Sequence, residues 1–462
     1  MSGARPGAAG EVRRPLGPME RWYWICDQLS PLNVVARVHL RGALPAGALD
    51  RAGAALVLEN PLLRVAVAAR PDGSRPRFVA AGDGRIPVRT VRADGPPCSG
   101  RWAQEVDAVE LVTPLDRRSG PLARIVDVVH DPGTPEECHD LLLTVSHVIA
   151  DGTTVLELLR RLVESAHDPA PGPARPALPP PEALLPRRIN GLPRAAHLAL
   201  AIAAEQFALL AARPWRLTPP VPLQPQHRRT RLLHRELDAG QLAALTDRCH
   251  REGTTVHGAL AAALALAVAG AQAPAGTRTV CIGSPVDFRT HLVPPVGPRD
   301  AGAYVATVPT YVRVGPAAGL WAAARGVTRD LRRSVRSRRH LALVSLLRLM
   351  SPPSAARSAR AVTAVDRQGP GNVCLSNLGV VDFPDRVGRW ELSGAQFVAG
   401  ISVSGYLVAT VNTSHAALHW NFTYIDGALG AERAGRIADH AVRTLLAGLR
   451  RTETPAPTEA RG

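Results

Sequence analysis

Residues 168–186 are built mainly of proline and alanine, a composition that keeps the backbone extended and marks a boundary or crossover. The stretch divides the 462 residues into two runs, each alternating strand-like and helix-like segments. A chain of this length can bury one large core or two medium ones, so two packed halves are expected. Before the boundary, 34–40 is apolar and β-branched, 45–58 is an alanine-rich amphipathic helix, and 65–69, 122–130 and 140–146 are strand candidates. A helix is expected over 153–165, capped by Asp151, Thr153 or Thr154. After it come a helical connection over 192–217, a second proline-rich stretch over 219–226 and a strand over 230–237. Helices follow over 238–252 and 254–269, the second strongly apolar with Thr254 or Thr255 as its cap. Further strands are expected at 279–284, 306–312, 372–377, 397–403, 407–412 and 417–424, the last two as an antiparallel pair, with a closing helix over 431–449.

The organisation expected is therefore a disordered lead at 1–14, a first half at 15–180, a crossover at 181–226, a second half at 227–450 and a flexible tail at 451–462. The formal charge is +16, but all 55 basic residues are arginine and none is lysine, which points to GC-rich codon usage rather than to a polyanionic partner. No aromatic-rich basic platform accompanies the charge, so nucleic acid is not expected as a ligand. Scattered arginines still suit phosphate-bearing ligands or an acidic protein face. The six cysteines form no CxxC pair, which argues against a zinc site and a disulfide framework and for reduced thiols in the cytoplasm. The lead lacks the apolar core of a signal peptide. The longest apolar stretch, 195–212, is interrupted by His197, Glu205 and Gln206 and falls short of a membrane span, leaving a peripheral membrane contact open.

The segment Ser146-His147-Val148-Ile149-Ala150-Asp151-Gly152 lies where a strand should end and a loop begin. A side chain there can face a cleft while the sheet holds its backbone. Histidine titrates near neutrality, so His147 can take a proton from one group and return it to another. Asp151 lies four residues on; buried and unpaired it would be costly, so it should seek an arginine. Gly152 allows either an unusual backbone conformation or a close approach. The competing structural explanation is an ordinary Asp-Gly turn feeding a helix, with His147 a satisfied core histidine.

With that motif, four further segments resemble the condensation-domain superfamily of acyltransferases, whose HHxxxDG motif follows a strand about a third of the way along a two-half chain. They are Asn60-Pro61-Leu62-Leu63-Arg64; Pro114-Leu115-Asp116 with Gly120-Pro121-Leu122; Pro285-Val286-Asp287-Phe288-Arg289; and Ser376-Asn377-Leu378-Gly379. The superfamily includes nonribosomal peptide condensation domains, stand-alone polyketide-associated acyltransferases, wax ester synthases and the plant BAHD enzymes. Ser146 stands where many relatives carry the first histidine of the pair, which bears on packing and subfamily rather than on the base. The resemblance implies an α/β, chloramphenicol-acetyltransferase-like fold, each half a mixed sheet flanked by helices, with an active-site tunnel between the halves. It implies that His147 is the general base and that Asp151 points away from substrate to pair with Arg289, although Arg289 is also explained as a surface arginine after a strand.

The activity implied is acyl transfer from a coenzyme A or carrier-protein thioester to a small alcohol or amine in lipid or natural-product biosynthesis. No cofactor or metal is expected beyond the acyl-CoA or acyl-phosphopantetheine donor, and the chain is expected to act as a monomer. Backbone N–H groups near Gly152 are candidates to stabilise the oxyanion. Ser376 and Asn377 either line the tunnel or form a tight turn without ligand contact. His257 is read as core or edge, His415 and His419 as tunnel-lining or solvent-facing, and Thr154 and Tyr304 as tunnel residues without a specific argument. The alternatives are a wax ester or diacylglycerol synthase, favoured by chain length and the 195–212 stretch, and a non-catalytic condensation-like domain that recruits partners.

Overall fold

Val34, Val35, Ala36, Val38 and Leu40 are all buried on one strand flanked by two others, which is why the segment is apolar almost throughout rather than alternating. The structure, a computed structural model, describes residues 12–450 apart from 83, 94–99, 191–193, 272–275, 316–318 and 404. In the first part of the chain lie helix α1 (Pro18–Leu29), strand β1 (Asn33–Arg41), α2 (Ala48–Glu59), β2 (Val65–Ala68), β3 (Arg77–Ala80), β4 (Val88–Arg92), α3 (Arg101–Glu105), β5 (Ala123–His130), β6 (Cys138–Ser146) and α4 (Gly152–His167). Two helices, α5 (Arg187–Asn190) and α6 (Arg194–Ala212), follow the proline-rich stretch. Then come β7 (Thr230–Leu237), α7 (Ala239–Arg251), α8 (Val256–Gly270), β8 (Arg278–Asp287), β9 (Val305–Val314), α9 (Leu320–Arg336), α10 (Arg339–Met350) and α11 (Ala359–Gln368). The last elements are β10 (Val373–Val380), β11 (Arg386–Val387), β12 (Trp390–Ala399), β13 (Leu407–Ser414), β14 (Ala417–Ile425) and α12 (Ala431–Arg450).

Two six-stranded sheets result, ordered β11-β12-β1-β6-β5-β4 and β7-β14-β13-β10-β8-β9. Both are mixed: β4 runs parallel to β5 in the first, and β10 parallel to β13 and β8 in the second. Each sheet has its own core. One joins α2 and α4 to β1, β5 and β6; the other surrounds α8, whose residues Ala259 to Ala265 are wholly buried. A third cluster joins Met19, Leu184 and Leu185 to Phe288, Tyr304, Leu341 and Val344 and so ties the halves together.

Chain order and spatial grouping part company at β11 and β12. They follow β10 in sequence, yet β12 pairs with β1, with Val35 opposite Val398 and Leu40 opposite Leu392. The second half thus completes the first sheet. The strand expected at 397–403 instead runs over Trp390–Ala399, because β1 supplies an antiparallel partner along that whole length. Three helices, α9 to α11, fill the 320–368 region for which the sequence was given no assignment.

Residues 12–14, expected in a disordered lead, are described and held in place. Val12 and Leu16 are buried and Arg14 is bonded bidentately to Glu20, so 12–14 is pinned to the body by apolar burial and an ion pair. Residues 1–11, the tail at 451–462 and Cys98 lie outside the described residues. The other five cysteines are free thiols. Among the described residues no single helix is long and apolar enough to cross a membrane.

Candidate active site

β6 is buried along its entire length and delivers Ser146 into the core, leaving His147 as the first residue beyond the sheet. Ser146 accepts a hydrogen bond from the Val148 amide at 3.4 Å, and its carbonyl accepts from Ile149 N at 3.0 Å, so it shapes the tight bend. The His147 amide donates to the Leu32 carbonyl at 3.0 Å, fixing the backbone from the other side.

The His147 ring is held by two contacts. Its Nδ1 lies 2.8 Å from the Ala150 carbonyl oxygen, and its face stacks on Tyr23 of α1 at a centroid distance of 4.3 Å and 13° between planes. A carbonyl only accepts, so Nδ1 carries the proton and the neutral ring keeps its lone pair on Nε2. Nε2 has no hydrogen-bond partner among the described residues. Burial pushes the imidazole below its ordinary 6.5, outweighing the upward pull of the Asp151 carboxylate and the Ala150 carbonyl. The ring is therefore neutral at pH 7.

Asp151 has a different task. It is the N-cap of α4, with Oδ1 accepting from Thr154 N at 2.9 Å, as one of the three caps expected. The same oxygen accepts from Arg289 at 2.9 Å, and Oδ2 accepts from the Tyr304 amide at 2.8 Å. Burial alone would raise the carboxyl's pKa, but the Arg289 charge and these donors leave it below the ordinary range. Arg289 is buried rather than on the surface; it also bonds Thr154 Oγ1 at 2.8 Å and Asp287 at 2.9 Å, and lies over the Tyr304 ring at 4.7 Å. Thr154 Oγ1 in turn donates to the Gly302 carbonyl at 2.7 Å. Thr154 and Tyr304 thus belong to a clamp across the two halves.

Gly152 is the first residue of α4 and takes no unusual backbone angle; the conformational explanation for it fails, and close approach is what requires glycine. A Cβ there would lie 2.7 Å from the Phe397 ring and 3.2 Å from Leu378. Those neighbours come from β12 and β10. The Ser376-Asn377-Leu378-Gly379 segment is correspondingly not a free turn but part of β10, with a register slip between Asn377 and Val380 opposite β13. Asn377 Oδ1 accepts from the Gly379 amide at 2.8 Å, and Gly379 sits at φ 74°, which accommodates the bulge. Leu378 is what brings this segment to the His147 loop; Ser376 and Asn377 are half-buried beside it.

The remaining histidines stand apart from His147. His257 Nε2 bonds Ser284 at 3.0 Å, and burial lowers it to about 4. His415 accepts from the Ala395 amide through Nδ1 and donates to the Pro384 carbonyl through Nε2, and His419 is buried beside Glu236; neither faces solvent. Cys374, on β10 near Tyr23, is held as a thiol by burial, its pKa pushed up to about 12, which removes it as a nucleophile at neutral pH. A cleft of about 600 Å³ opens between the end of α1, the 216–226 segment and α11, lined by Arg216, Asp366, Arg367 and Tyr406. His147, Ser376 and Asn377 do not line it.

Sequence reasoning missed Tyr23 and Phe397, and quoted Asp287 within the Pro285–Arg289 segment without giving it a role. Pro18 at the first helical position and the Trp22-Tyr23-Trp24 run could have marked α1; nothing local marks the Phe397 contact.

Superposition on solved structures decides the fold. Polyketide synthase associated protein 5 from Mycobacterium tuberculosis matches over 96% of this chain and 99% of its own at a TM-score of 0.64 and 20% identity. The trichothecene 15-O-acetyltransferase of Fusarium sporotrichioides matches over 96% and 100% at 0.71 and 13% identity. The first condensation domain of the calcium-dependent antibiotic synthetase matches over 95% and 97% at 0.66 and 18% identity. The chain has the condensation-domain superfamily fold. Residues 226–425 also match the family model described as the C-terminus of phthiocerol/phthiodiolone dimycocerosyl transferase. No curated protein matches by sequence. The family that the model describes is a transferase, and one of these structures is an acetyltransferase.

Proposed function

We propose that this chain transfers an acyl group from a coenzyme A or carrier-protein thioester to an alcohol or amine, with His147 as general base. The observation that carries the reading is the pinned imidazole: Nδ1–H is committed to the Ala150 carbonyl, and Nε2 is left with a free lone pair. Nε2 takes the acceptor's proton as its oxygen or nitrogen attacks the thioester carbon; the C–S bond then breaks, and the proton passes from Nε2 to the leaving thiolate. Ester or amide and free thiol are the products. The amides of Thr154 and Val155 are already bonded to Asp151, so the Gly152 and Thr153 amides are the remaining donors at the α4 start for the developing oxyanion.

The donor's phosphates would find Arg216 and Arg367 in the 600 Å³ cleft. Among the described residues Arg216 hydrogen-bonds the Asp366 and Gly369 carbonyls and no carboxylate oxygen. One observation favours a lipid-directed form of the reaction. On α6, Leu200, Phe207 and Leu210 are 71%, 75% and 70% exposed, an apolar face suited to long acyl chains or a membrane surface.

Purified protein assayed with acyl-CoA donors of increasing chain length, free and in lipid vesicles, tests both points. His147→Ala is expected to lower turnover about 10²–10⁴-fold with the fold intact by circular dichroism. Unchanged product formation in that variant would remove His147 as the base, absence of product from the parent protein with every donor would leave a non-catalytic recruitment domain as the better account, and indifference to chain length and vesicles would remove the lipid-directed form.

A further inference from the structure

His234 and Glu236 stand two residues apart on β7, so their side chains share one face of the second sheet. Antiparallel pairing sets His419 opposite Glu236 and Asn421 opposite His234 on β14. His419 Nδ1 lies 3.1 Å from Glu236 Oε2, and His234 Nε2 lies 3.7 Å from the same oxygen. One ligand atom from each of the three residues falls within 4.8 Å of the other two.

The hydrogen-bond pattern around His234 is what calls for an ion. Asn421 donates through Nδ2 to Gln396 Oε1 at 3.0 Å and to the Phe397 carbonyl at 3.1 Å, which turns its Oδ1 toward His234. His234 Nδ1–H donates to that oxygen at 2.7 Å. In the neutral ring Nε2 then offers a lone pair toward a carboxylate that can only accept. Two acceptors aimed at each other need a positive centre between them, which a second proton on the ring or a metal ion supplies. His419 is 2% exposed; its Nδ1 lies against the Glu236 carboxylate, while its Nε2 makes no hydrogen bond, which leaves a buried ring nitrogen for a further partner.

We propose that His234, Glu236 and His419 bind a divalent transition metal ion, with zinc the best match. Two imidazoles and one carboxylate with a fourth, solvent-filled position are a donor set that zinc accepts. Metal–ligand bonds of about 2.0–2.2 Å place tetrahedral ligand atoms roughly 3.4 Å apart. The cluster therefore closes by rotation of Glu236, whose side chain is 48% exposed and free to move. Asn421 plays the outer-shell part, fixing the His234 tautomer. Arg37 faces the same region from β1, but its charge is taken up by Asp140, 2.9 Å away. Trp102 of α3 packs edge-on against His234 at 5.2 Å, and Gln396 and Phe397 belong to β12. The ion would thus strengthen the seam where β12 and α3 meet the second sheet, apart from the His147 site.

Zinc titrated into chelator-stripped full-length protein, followed by calorimetry, is expected to show one tight equivalent, and cobalt in its place the visible bands of a four-coordinate site. Glu236→Gln and His419→Gln should each weaken zinc binding at least tenfold, and Asn421→Ala about 10–100-fold. Zinc should also raise the melting temperature of the parent protein and leave that of the His419→Gln variant unmoved. Should His419→Gln fail to fold, His234→Gln, at a partly exposed position, gives the same comparison. Absence of a tight equivalent, or equal affinity in the parent and the variants, as adventitious binding among the chain's 15 histidines would give, overturns the proposal.

Discussion

His147 and His234 are pinned by the same device. One donates Nδ1–H to the Ala150 carbonyl at 2.8 Å, the other to Asn421 Oδ1 at 2.7 Å, and a neutral ring held in this way has its lone pair on Nε2. What differs is what that lone pair meets. At His234 it points toward Glu236 at 3.7 Å; at His147 no group among the described residues bonds it. A carboxylate beside Nε2 makes an imidazole a ligand or half of an ion pair, whereas an open Nε2 on a neutral ring is a base waiting for a proton. The nearest candidate to spoil His147 is Asp151, and the Arg289, Thr154 and Tyr304 donors turn it the other way. The clamp from the second half therefore preserves the difference between the two histidines.

Breaking the clamp is expected to have the largest effect on stability. Arg289→Leu leaves the Asp151 carboxylate buried without its counter-charge, a loss of about 3–5 kcal/mol in urea unfolding. The double variant Arg289→Leu with Asp151→Leu should recover much of it. A cost below about 1 kcal/mol would mean that the pair behaves as a surface bridge and does not orient the motif.

A smaller effect is expected one residue on. Gly152→Ala drives a methyl to within 2.7 Å of the Phe397 ring, overpacking worth about 1–3 kcal/mol, and Phe397→Leu in the same chain should offset part of it. A neutral Gly152→Ala would show that the contact between β12 and α4 can give way and does not fix the loop.

Much of this arrangement could be read from the chain. The apolar run ending at Ser146, the capping residues and the apolar 254–269 helix are local signals, and β6, the Asp151 cap and α8 all carry them. The partner of Asp151 followed from the cost of burying a carboxylate, with the resemblance supplying Arg289. Long-range neighbours were not legible. Tyr23 stacks on His147 from 124 positions earlier in the chain, and Phe397 approaches Gly152 from a strand that the second half lends to the first sheet. Nothing in either segment announces the other. α9 is a case of a different kind: Trp321, Ala324 and Val327 are buried at helical spacing with arginines on the other face, an amphipathic pattern that was legible and that sequence reasoning missed. The Gly379 bulge hid the SNLG segment's true state, since its turn-forming residues sit within a strand.

The central claim is that His147 waits as a neutral imidazole with its lone pair on Nε2. Nitrogen-15 NMR of histidine-labelled protein, with the His147 signals assigned by their loss in His147→Ala, measures that state directly. The account predicts a protonated Nδ1 and an unprotonated Nε2 at pH 7, with the ring accepting its second proton only below the ordinary 6.5. A proton on Nε2 at pH 7, or a ring that charges above 6.5, would contradict it.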